Sequence, residues 1–194
     1  EVAVNTKPYT ITGLTANTTY YYKVRAVCDP GVDSSDWSLN ASLYTGYCIP
    51  APSSVDYSGM INVAFGDALT VNTDTTYGLT YGDFTNLIGD AGQGTSAEVV
   101  IDYATGWTYG TIIWVDWNND LDFDDEGEQV YYGLSESTNP TTLTASFTIP
   151  ATAALGDYRM RIGGSDNDLG PDPCYTGTYA CLFDFTLRVT PAPP

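Results

Sequence analysis

The stretch TIIWVDWNNDLDFDDEGEQVYYG, residues 111–133, places an acidic run between two apolar runs. Residues 116–128 hold seven carboxylates and two asparagines in thirteen positions. The flanking runs, IIWVDW and EQVYYG, are short and rich in β-branched and aromatic residues, as is typical of strands. We therefore expect a β-hairpin whose connection is an acidic loop.

Further strand-like runs occur on both sides of this hairpin, separated by turn residues. They are INVAFGD (61–67), LTVN (69–72), AEVVIDY (97–103), TLTASFTIP (142–150), YRMRIGG (158–164) and FDFTLRV (183–189). The 16 tyrosines and the many Thr, Val and Gly residues, with no long Leu/Glu/Lys/Ala stretch, favour short strands over helices, so the chain is expected to be all-β. Eight strands predict a jelly-roll-like or immunoglobulin-like β-sandwich over residues 47–190, followed by a Pro-rich linker at 191–194.

Residues 1–46 form a separate segment with three predicted strands, YTITGL (9–14), YYYKVRAVC (20–28) and ASLYT (41–45). In the second strand Tyr20, Tyr22 and Val24 alternate with polar or charged residues, which predicts one buried face. The segment resembles the C-terminal part of a fibronectin type III domain in the turn GLTANTTY (13–20), in VRAVC (24–28) and in SDWS (35–38). Since such a sandwich needs about seven strands, this domain is expected to be partial.

The charge distribution excludes several classes of partner. There are 24 acidic and 6 basic residues and no histidine, and no Lys or Arg lies between Arg25 and Arg159. Such a surface repels nucleic acid and anionic membranes. No apolar run approaches the ~18 residues that span a bilayer. We expect no nucleic-acid binding and no membrane insertion.

The acidic loop is predicted to bind Ca²⁺. Asp116, Asn118, Asp120 and Asp122 place oxygen ligands at alternate positions, and Ca²⁺ takes six to eight oxygens. Asp125 and Glu128 complete the candidate set, with Asp124 as an alternative to Asp125. Leu121 stands where an EF-hand has its turn glycine, and Glu128 comes one position late, so the loop is not an EF-hand. The alternative is a solvated, metal-free acidic turn.

A second resemblance covers most of residues 47–190. The motif WVDWNNDLDFDDEGE (114–128), the segment FTIPATAALGDYRMRI (147–162) and the upstream YCIPAP (47–52) and YGDFTNL (81–87) resemble the GEVED domain. That family's naming motif is replaced here by ACLFDF (180–185), which keeps only the Asp and an aromatic residue. The resemblance implies a non-catalytic accessory module of exported multidomain proteins, common in Bacteroidota.

The four cysteines, Cys28, Cys48, Cys174 and Cys181, predict disulfides and an oxidising compartment, because neither histidine nor a C-x-x-C pair supports zinc. A local Cys174–Cys181 bond would leave Cys28 with Cys48, yet these two follow opposite ends of a hairpin. The alternative is that Cys48 pairs within the second domain and Cys28 has no partner in this segment. The sequence leaves both open.

Aromatic side chains raise the alternative of carbohydrate binding. Trp107 and Tyr109 are predicted at a hairpin tip, where they could stack on sugar rings. At least one of Trp114 and Trp117 is expected in the core, and Phe123 also. A second acidic loop, residues 165–172, has the composition of a metal-free turn, with a cation site as the alternative. Asp74–Thr76 resembles an O-glycosylation sequence.

Three functional hypotheses follow. The first is a non-enzymatic, calcium-stabilised, structural or adhesive module of a larger extracellular or bacterial cell-surface protein. Its expected partners are neighbouring domains of its own polypeptide, with another cell-surface protein as the alternative. The second is a carbohydrate-binding module that brings a neighbouring enzyme to polysaccharide. The third is an accessory domain of an exported protease. Catalysis within the chain is not expected, because histidine and the common hydrolase motifs are absent from the sequence.

Overall fold

The computed structural model describes residues 2–29, 31, 33–55, 59–65, 69–72, 78–104, 107–137, 141–166 and 170–194. The described residues form strands, turns and extended segments, which confirms the all-β prediction. The chain divides into two compact units, residues 1–47 and 48–194. Among the described residues there is no helix long and apolar enough to cross a membrane. The Asp74–Thr76 sequence lies outside the described residues.

The first unit contains four short strands, β1 (Thr19–Tyr22), β2 (Val27–Asp29), β3 (Asp33–Ser34) and β4 (Ala41–Tyr44). β1 pairs with β4 and β2 pairs with β3, both antiparallel. The strand predicted at residues 9–14 is wrong, since these residues join no ladder. No residue from 2 to 47 whose side chain the structure describes is buried, so the described part of this unit has no apolar core.

The described residues of the second unit form nine strands in two sheets. In chain order they are β5 (Met60–Phe65), β6 (Leu69–Asn72), β7 (Tyr81–Gly92), β8 (Ser96–Tyr103), β9 (Gly110–Val115), β10 (Gln129–Leu134), β11 (Thr141–Thr148), β12 (Gly156–Ser165) and β13 (Ala180–Thr190). One sheet has the order β10-β9-β12-β13-β7 and the other β11-β8-β5-β6. All neighbours are antiparallel except β13 and β7, which are parallel. This is the expected β-sandwich.

Alternation along the strands builds the core between the two sheets. In β11 the burial alternates residue by residue, with Leu143, Ala145 and Phe147 inside. The same alternation turns Val99 and Ile101 of β8 inward, to meet the other sheet. The inner face of that sheet supplies Ile113, Val115, Met160, Ile162, Phe183, Phe185 and Leu187.

The sequence did not predict β7 as a strand, and its composition explains why. Its twelve residues include three glycines and show no alternation of apolar and polar residues. One of these glycines is required by packing, because a Cβ at Gly89 would overlap the ring of Phe65. The parallel pairing with β13 therefore stabilises a segment that local propensity disfavours.

Candidate metal centre

The acidic loop closes the hairpin formed by β9 and β10, as the sequence predicted. The Val115 N–H donates to the Glu128 carbonyl at 2.8 Å, which continues the ladder past both strand ends. The Asp116 N–H donates to the Arg159 carbonyl at 3.1 Å, on the neighbouring strand β12. Ladder hydrogen bonds therefore fix the backbone at both ends of the loop, at Asp116 and at Glu128.

Three carboxylates converge inside the loop. Asp116, Asp120 and Glu128 each offer an oxygen, and these oxygens all lie within 4.8 Å of one another. Asp116 is fully buried and Glu128 is 2% exposed, whereas Asp120 faces solvent. The group is therefore buried on the side of Asp116 and Glu128 and open to solvent on the side of Asp120. Like charges this close repel one another unless a proton or cation intervenes.

Backbone amides hold these carboxylates in place. The two Asp116 oxygens accept the N–H groups of Asp120 at 3.3 Å and Leu121 at 3.1 Å. The two Glu128 oxygens accept the N–H groups of Trp117 at 3.1 Å and Asp125 at 3.3 Å. The backbone of the loop therefore surrounds the carboxylates of Asp116 and Glu128 and is held by hydrogen bonds to them.

The left-handed backbone of the loop allows this wrapping. Leu121 has φ 78° and Asn119 has φ 59°, a region in which leucine is uncommon. Leu121 stands where the EF-hand glycine would be, and it adopts the positive φ that such a glycine would supply. The loop therefore keeps the positive φ of the EF-hand glycine at this position, and the Leu121 backbone is strained.

The other predicted ligands differ in how they contact the three converging carboxylates. The Asn118 amide nitrogen donates to Asp120 at 3.0 Å and to Asp125 at 2.5 Å, which ties both residues to the group. Asp122 is exposed, and its Oδ1 accepts the Asp124 N–H at 3.0 Å. Of the six predicted residues, three converge, and Asn118 and Asp125 are joined to them by hydrogen bonds. Asp122 is joined only through its backbone N–H, which donates to Asp120 Oδ1 at 3.4 Å, and its side chain caps a turn.

The electrostatics of the group follow from its burial. Burial raises the pKa of Glu128 to about 7, and the charges of Asp116 and Asp120 act in the same direction. The N–H groups of Asp125 and Trp117 partly oppose this rise. The donor set consists of oxygens only, which suits a hard cation such as Ca²⁺ or Mg²⁺ rather than zinc.

Aromatic residues support the loop from both sides. Trp114 is buried, and its ring centroid lies 6.4 Å from that of the buried Phe123. Trp117 packs edge-to-face on Tyr158 at 5.3 Å. The expectation that at least one of Trp114 and Trp117 is buried is met by Trp114, and Phe123 is buried as expected.

The sequence did not predict a buried ion pair beside this loop. Arg161 of β12 and Asp184 of β13 face each other across the ladder, and both are fully buried. The Arg161 Nε and Nη2 donate to the two Asp184 oxygens at 2.6 and 2.8 Å. Arg159 and the Tyr81 hydroxyl also donate to Asp184, at 2.9 and 3.0 Å. Burial raises the pKa of Tyr81 to about 12, with the Asp184 charge adding to the effect.

A disulfide strap covers this ion pair. Cys48 and Cys174 are bonded, and the Arg161 guanidinium donates to the carbonyls of Pro173 at 2.6 Å and Cys48 at 3.0 Å. The guanidinium also lies 4.9 Å from the Phe123 ring centroid. One arginine therefore joins the strap, the acidic loop and the sheet. The available signal in the sequence was three charged residues, Arg159, Arg161 and Asp184, inside the otherwise apolar runs RMRI and LFDF.

The disulfide corrects the local pairing expected for the cysteines. Cys174 is bonded to Cys48 and not to Cys181, which is buried and free. Cys28 is free and exposed, so its pairing with Cys48 is also wrong. The alternative that Cys48 pairs within the second domain is confirmed.

The structure separates the two residues of the predicted sugar platform. Trp107 is 64% exposed, but Tyr109 is 2% exposed and its ring stacks on Tyr103 at 4.0 Å. Tyr109 is therefore a core residue, because its backbone pairs with Ser135 and draws its ring inward. In the second acidic loop Asp172 accepts the Cys174 N–H at 2.7 Å, which is a turn contact. Residues 167–169 of that loop lie outside the described residues.

Comparison with known proteins supports part of the resemblance. Residues 110–188, which contain the acidic loop and the buried ion pair, match the family model of the GEVED domain. GEVED domains are accessory β-modules of larger proteins. No curated protein matches the chain.

Two solved structures show low overall similarity. A family 123 glycoside hydrolase from Clostridium perfringens is 12% identical with a TM-score of 0.30, and the match covers 58% of this chain and 23% of that one. The ASH / PapD-like domain 7 of human CEP192 is 12% identical with a TM-score of 0.27, covering 69% of this chain and 89% of that one. The chain thus spans about a quarter of the hydrolase.

Proposed function

We propose that the chain is a non-catalytic, extracellular or cell-surface β-module with a structural or adhesive role, stabilised by Ca²⁺ in its acidic loop. The observation that carries the proposal is the convergence of Asp116, Asp120 and Glu128, with oxygens within 4.8 Å and two of the three side chains buried. The match to the GEVED domain supports a role inside a larger protein. The disulfide fits an oxidising compartment.

The ion would act as a brace. When bound, Ca²⁺ supplies positive charge to carboxylates that otherwise repel one another. Asp116 and Glu128 stand at the two ends of the loop and Asp120 stands near its middle, so their shared contact would hold the loop closed. Asp125 and Asn118 offer additional oxygens. The Asn118 nitrogen now faces Asp120 and Asp125, and its oxygen accepts the Asp120 N–H at 3.0 Å, so Asn118 would bind an ion after rotation of its amide group.

The brace would also protect the rest of the sheet. Phe123 of the loop lies against the Arg161 guanidinium, and Arg161 is bonded to Asp184 of β13. An open loop would remove one side of this packing and admit water to a buried charge pair, at a cost of several kcal/mol if the pair separates. Calcium binding is therefore expected to stabilise the whole second unit and not the loop alone.

Thermal unfolding in calcium and in a chelator tests the proposal. Calcium at about 100 times its dissociation constant should add about 2.7 kcal/mol, which raises the Tm by roughly 5–10 °C. Asp120→Asn and Glu128→Gln should reduce this shift by more than half. The matched control is Glu98→Gln, which removes one exposed charge from β8.

Two results would reject the calcium brace. The first is a Tm that chelation leaves unchanged, with no heat of calcium binding by titration calorimetry. The second is an equal loss of the calcium shift in Glu98→Gln and Asp120→Asn, which would show a general charge effect. A Mg²⁺ titration compares the two hard cations at the same residues.

A second candidate function is polysaccharide binding, and the exposure of Trp107 is the observation that favours it. Affinity electrophoresis in gels that contain soluble polysaccharides compares the chain with Trp107→Ala. Trp37→Ala is the matched control, because Trp37 is also exposed but lies 4.5 Å from the Arg25 guanidinium in the first unit. Equal retardation of all three proteins would exclude Trp107 as a sugar contact.

A further inference from the structure

The two cysteines of the disulfide strap lie in different surroundings. Cys174 is exposed to solvent, whereas Cys48 is half-buried and lies against the Arg161 guanidinium. The Arg161 Nη1 is 3.3 Å from the Cys48 sulfur, which is within hydrogen-bond distance. One end of the disulfide is therefore open to an attacking group, and the other end lies beside a buried positive charge.

The hydrogen bonds of Arg161 leave one donor for this sulfur. A guanidinium has five N–H donors, and four of those in Arg161 donate to oxygen atoms. Two bind the Asp184 carboxylate, one the Pro173 carbonyl and one the Cys48 carbonyl. The remaining N–H, on Nη1, is directed to the Cys48 sulfur. A disulfide sulfur is a weak acceptor, whereas a thiolate at Cys48 would accept a charge-assisted hydrogen bond.

The charged cluster that includes Arg161 has more positive than negative groups. Arg159 and Arg161 both donate to Asp184, so two guanidinium groups share one buried carboxylate. Asp83 also interacts electrostatically with both arginines, but it is exposed, so water screens its charge. A negative charge on the Cys48 sulfur is therefore stabilised by its neighbours.

We propose that the Cys48–Cys174 disulfide is a site of thiol–disulfide exchange with small thiols, in which Cys174 is attacked and Cys48 is released. The thiolate of the small thiol forms a mixed disulfide with the Cys174 sulfur while the Cys48–Cys174 bond breaks. The electron pair of that bond leaves on Cys48 as a thiolate beside Arg161. One disulfide is lost and one is formed, so no further oxidant or reductant is needed.

The strap keeps other contacts when this bond breaks. The Ala51 N–H donates to the Tyr175 carbonyl at 3.0 Å, and the Ser53 N–H donates to the Gly177 carbonyl at 2.9 Å. These hydrogen bonds join the segments that follow Cys48 and Cys174 in the chain. The released thiolate is therefore kept near Arg161, and the exchange is reversible.

The surroundings of Cys174 select the kind of thiol. The Asp172 side chain is exposed and accepts the Cys174 N–H at 2.7 Å, which places a carboxylate next to the residue that is attacked. The chain also carries a formal net charge of −18. Both charges repel thiols that carry a carboxylate. An uncharged thiol such as 2-mercaptoethanol is therefore the appropriate probe.

Trapping with 2-mercaptoethanol tests the direction of the exchange. The Cys28→Ser variant, which removes the exposed free thiol, is treated with the probe, alkylated and mapped by peptide mass spectrometry. Adducts on Cys174 should exceed adducts on Cys48 about tenfold or more, with the alkyl label on Cys48. Equal adducts on the two cysteines would overturn the proposal. So would a disulfide that forms no adduct while the chain stays folded.

The ultraviolet absorbance of the thiolate tests the role of Arg161 independently of access. After reduction at neutral pH, the Cys28→Ser chain should show about one thiolate more than the same chain with Cys48→Ser. With Cys174→Ser instead, the thiolate should be retained. No thiolate at Cys48 would overturn the proposal.

Arg161→Lys should weaken this absorbance and slow the exchange, because an ammonium cannot reproduce the fork of donors. Arg188→Lys is the matched control, since Arg188 pairs with Asp157 and both side chains are nearly half exposed. Equal effects of the two variants would reject Arg161 as the group that stabilises the thiolate. Circular dichroism melts establish that each variant is folded, and if Arg161→Lys does not fold, the comparison with Cys48→Ser decides.

Discussion

The two free cysteines differ in their surroundings, although both are thiols in strands. Cys181 belongs to the buried core, and burial raises the pKa of its thiol to about 12. Cys28 is exposed to solvent. Because the thiolate is the reactive form, burial and the raised pKa both disfavour reaction at Cys181, whereas Cys28 is accessible.

Alkylation of the native protein is therefore expected to modify Cys28 and spare Cys181. In denaturant without reductant both should react, while Cys48 and Cys174 stay protected by their bond. Peptide mass mapping counts the labels, and Cys28→Ser is the control that should take up no label in the native state. Equal labelling rates at the two cysteines would contradict the core position of Cys181.

Leu121 carries backbone strain at the turn of the acidic loop. Its φ of 78° is a region that a Cβ disfavours by roughly 1–2 kcal/mol. Leu121→Ala and Leu121→Gly both remove the side-chain packing, but only glycine removes the Cβ. The glycine variant should be more stable than the alanine variant by about 1 kcal/mol in urea unfolding. A more stable alanine variant would show that the left-handed conformation is not formed.

Glu128 gives the metal-free chain a specific pH dependence. Its pKa rises from 4.5 to about 7 in the folded state, so the folded chain holds more protons between these values. Its contribution to the free energy of unfolding is therefore full below 4.5 and is lost as pH rises through 7. Urea unfolding of the metal-free protein from about pH 5 to about pH 8 should show this loss.

The control for this titration is Glu128→Gln, which cannot ionise. The difference in free energy of unfolding between the wild type and this variant should fall over the same pH range. Glu98→Gln should run parallel to the wild type, because Glu98 is exposed on β8. A pH-independent difference for Glu128→Gln would show that the carboxylate is already ionised at the lower pH.

At the scale of elements, strands β12 and β13 bury the ion pair of Arg161 and Asp184, which the sequence did not predict. Asp184→Asn leaves the Arg161 guanidinium buried without a charged partner, which should cost about 3–5 kcal/mol. The matched control is Asp157→Asn, since Asp157 pairs with Arg188 at 2.6 Å but both side chains are nearly half exposed. That loss should stay below about 1 kcal/mol. Equal losses in chemical unfolding would contradict the different burial of the two pairs.

The elements that sequence patterns predicted are those with strong local signals. The β9–β10 hairpin and β11 carry alternating or continuous apolar runs, and each lies where expected. β7 lacks such a run, because its glycines serve close packing and its stability comes from distant pairing with β13. Residues 9–14 show the converse, since they have strand propensity but join no ladder. Local propensity therefore predicts neither the strand at β7 nor the absence of a strand at residues 9–14.

The candidate site shows the same division between local and distant information. Asp116, Asp120 and Glu128 were identified because they lie in one loop of thirteen residues. The strap was not identified, because Cys48 and Cys174 are separated by 126 positions. The position of Arg161 beneath that strap depends on the register of three strands, β9, β12 and β13. Contacts between distant segments follow from the packed sheets, not from spacing in the sequence.

At the scale of the whole molecule, the two units differ in what stabilises them. The described residues of 2–47 contain no buried side chain, whereas residues 48–194 enclose a continuous core. A two-stranded pairing without a core is marginal in water. The first unit should therefore open far more often than the second, and these openings determine sensitivity to protease.

Trypsin offers a direct measurement, because the six basic residues are divided between the units. Lys7, Lys23 and Arg25 lie in the first unit, and Lys7 precedes Pro8, a bond that trypsin does not cut. Arg159, Arg161 and Arg188 lie in strands of the sandwich. Native digestion should cut first after Lys23 and Arg25 and leave a resistant fragment that begins at Val24 or Ala26. Mass spectrometry over time identifies the fragment, and digestion in denaturant is the control that should cut all these sites. Cleavage after Arg159 or Arg188 at the same native rate would show that the sandwich is no more stable than the first unit. Calcium should slow cleavage in the second unit and leave the rates at Lys23 and Arg25 unchanged, because the proposed calcium site lies in the second unit.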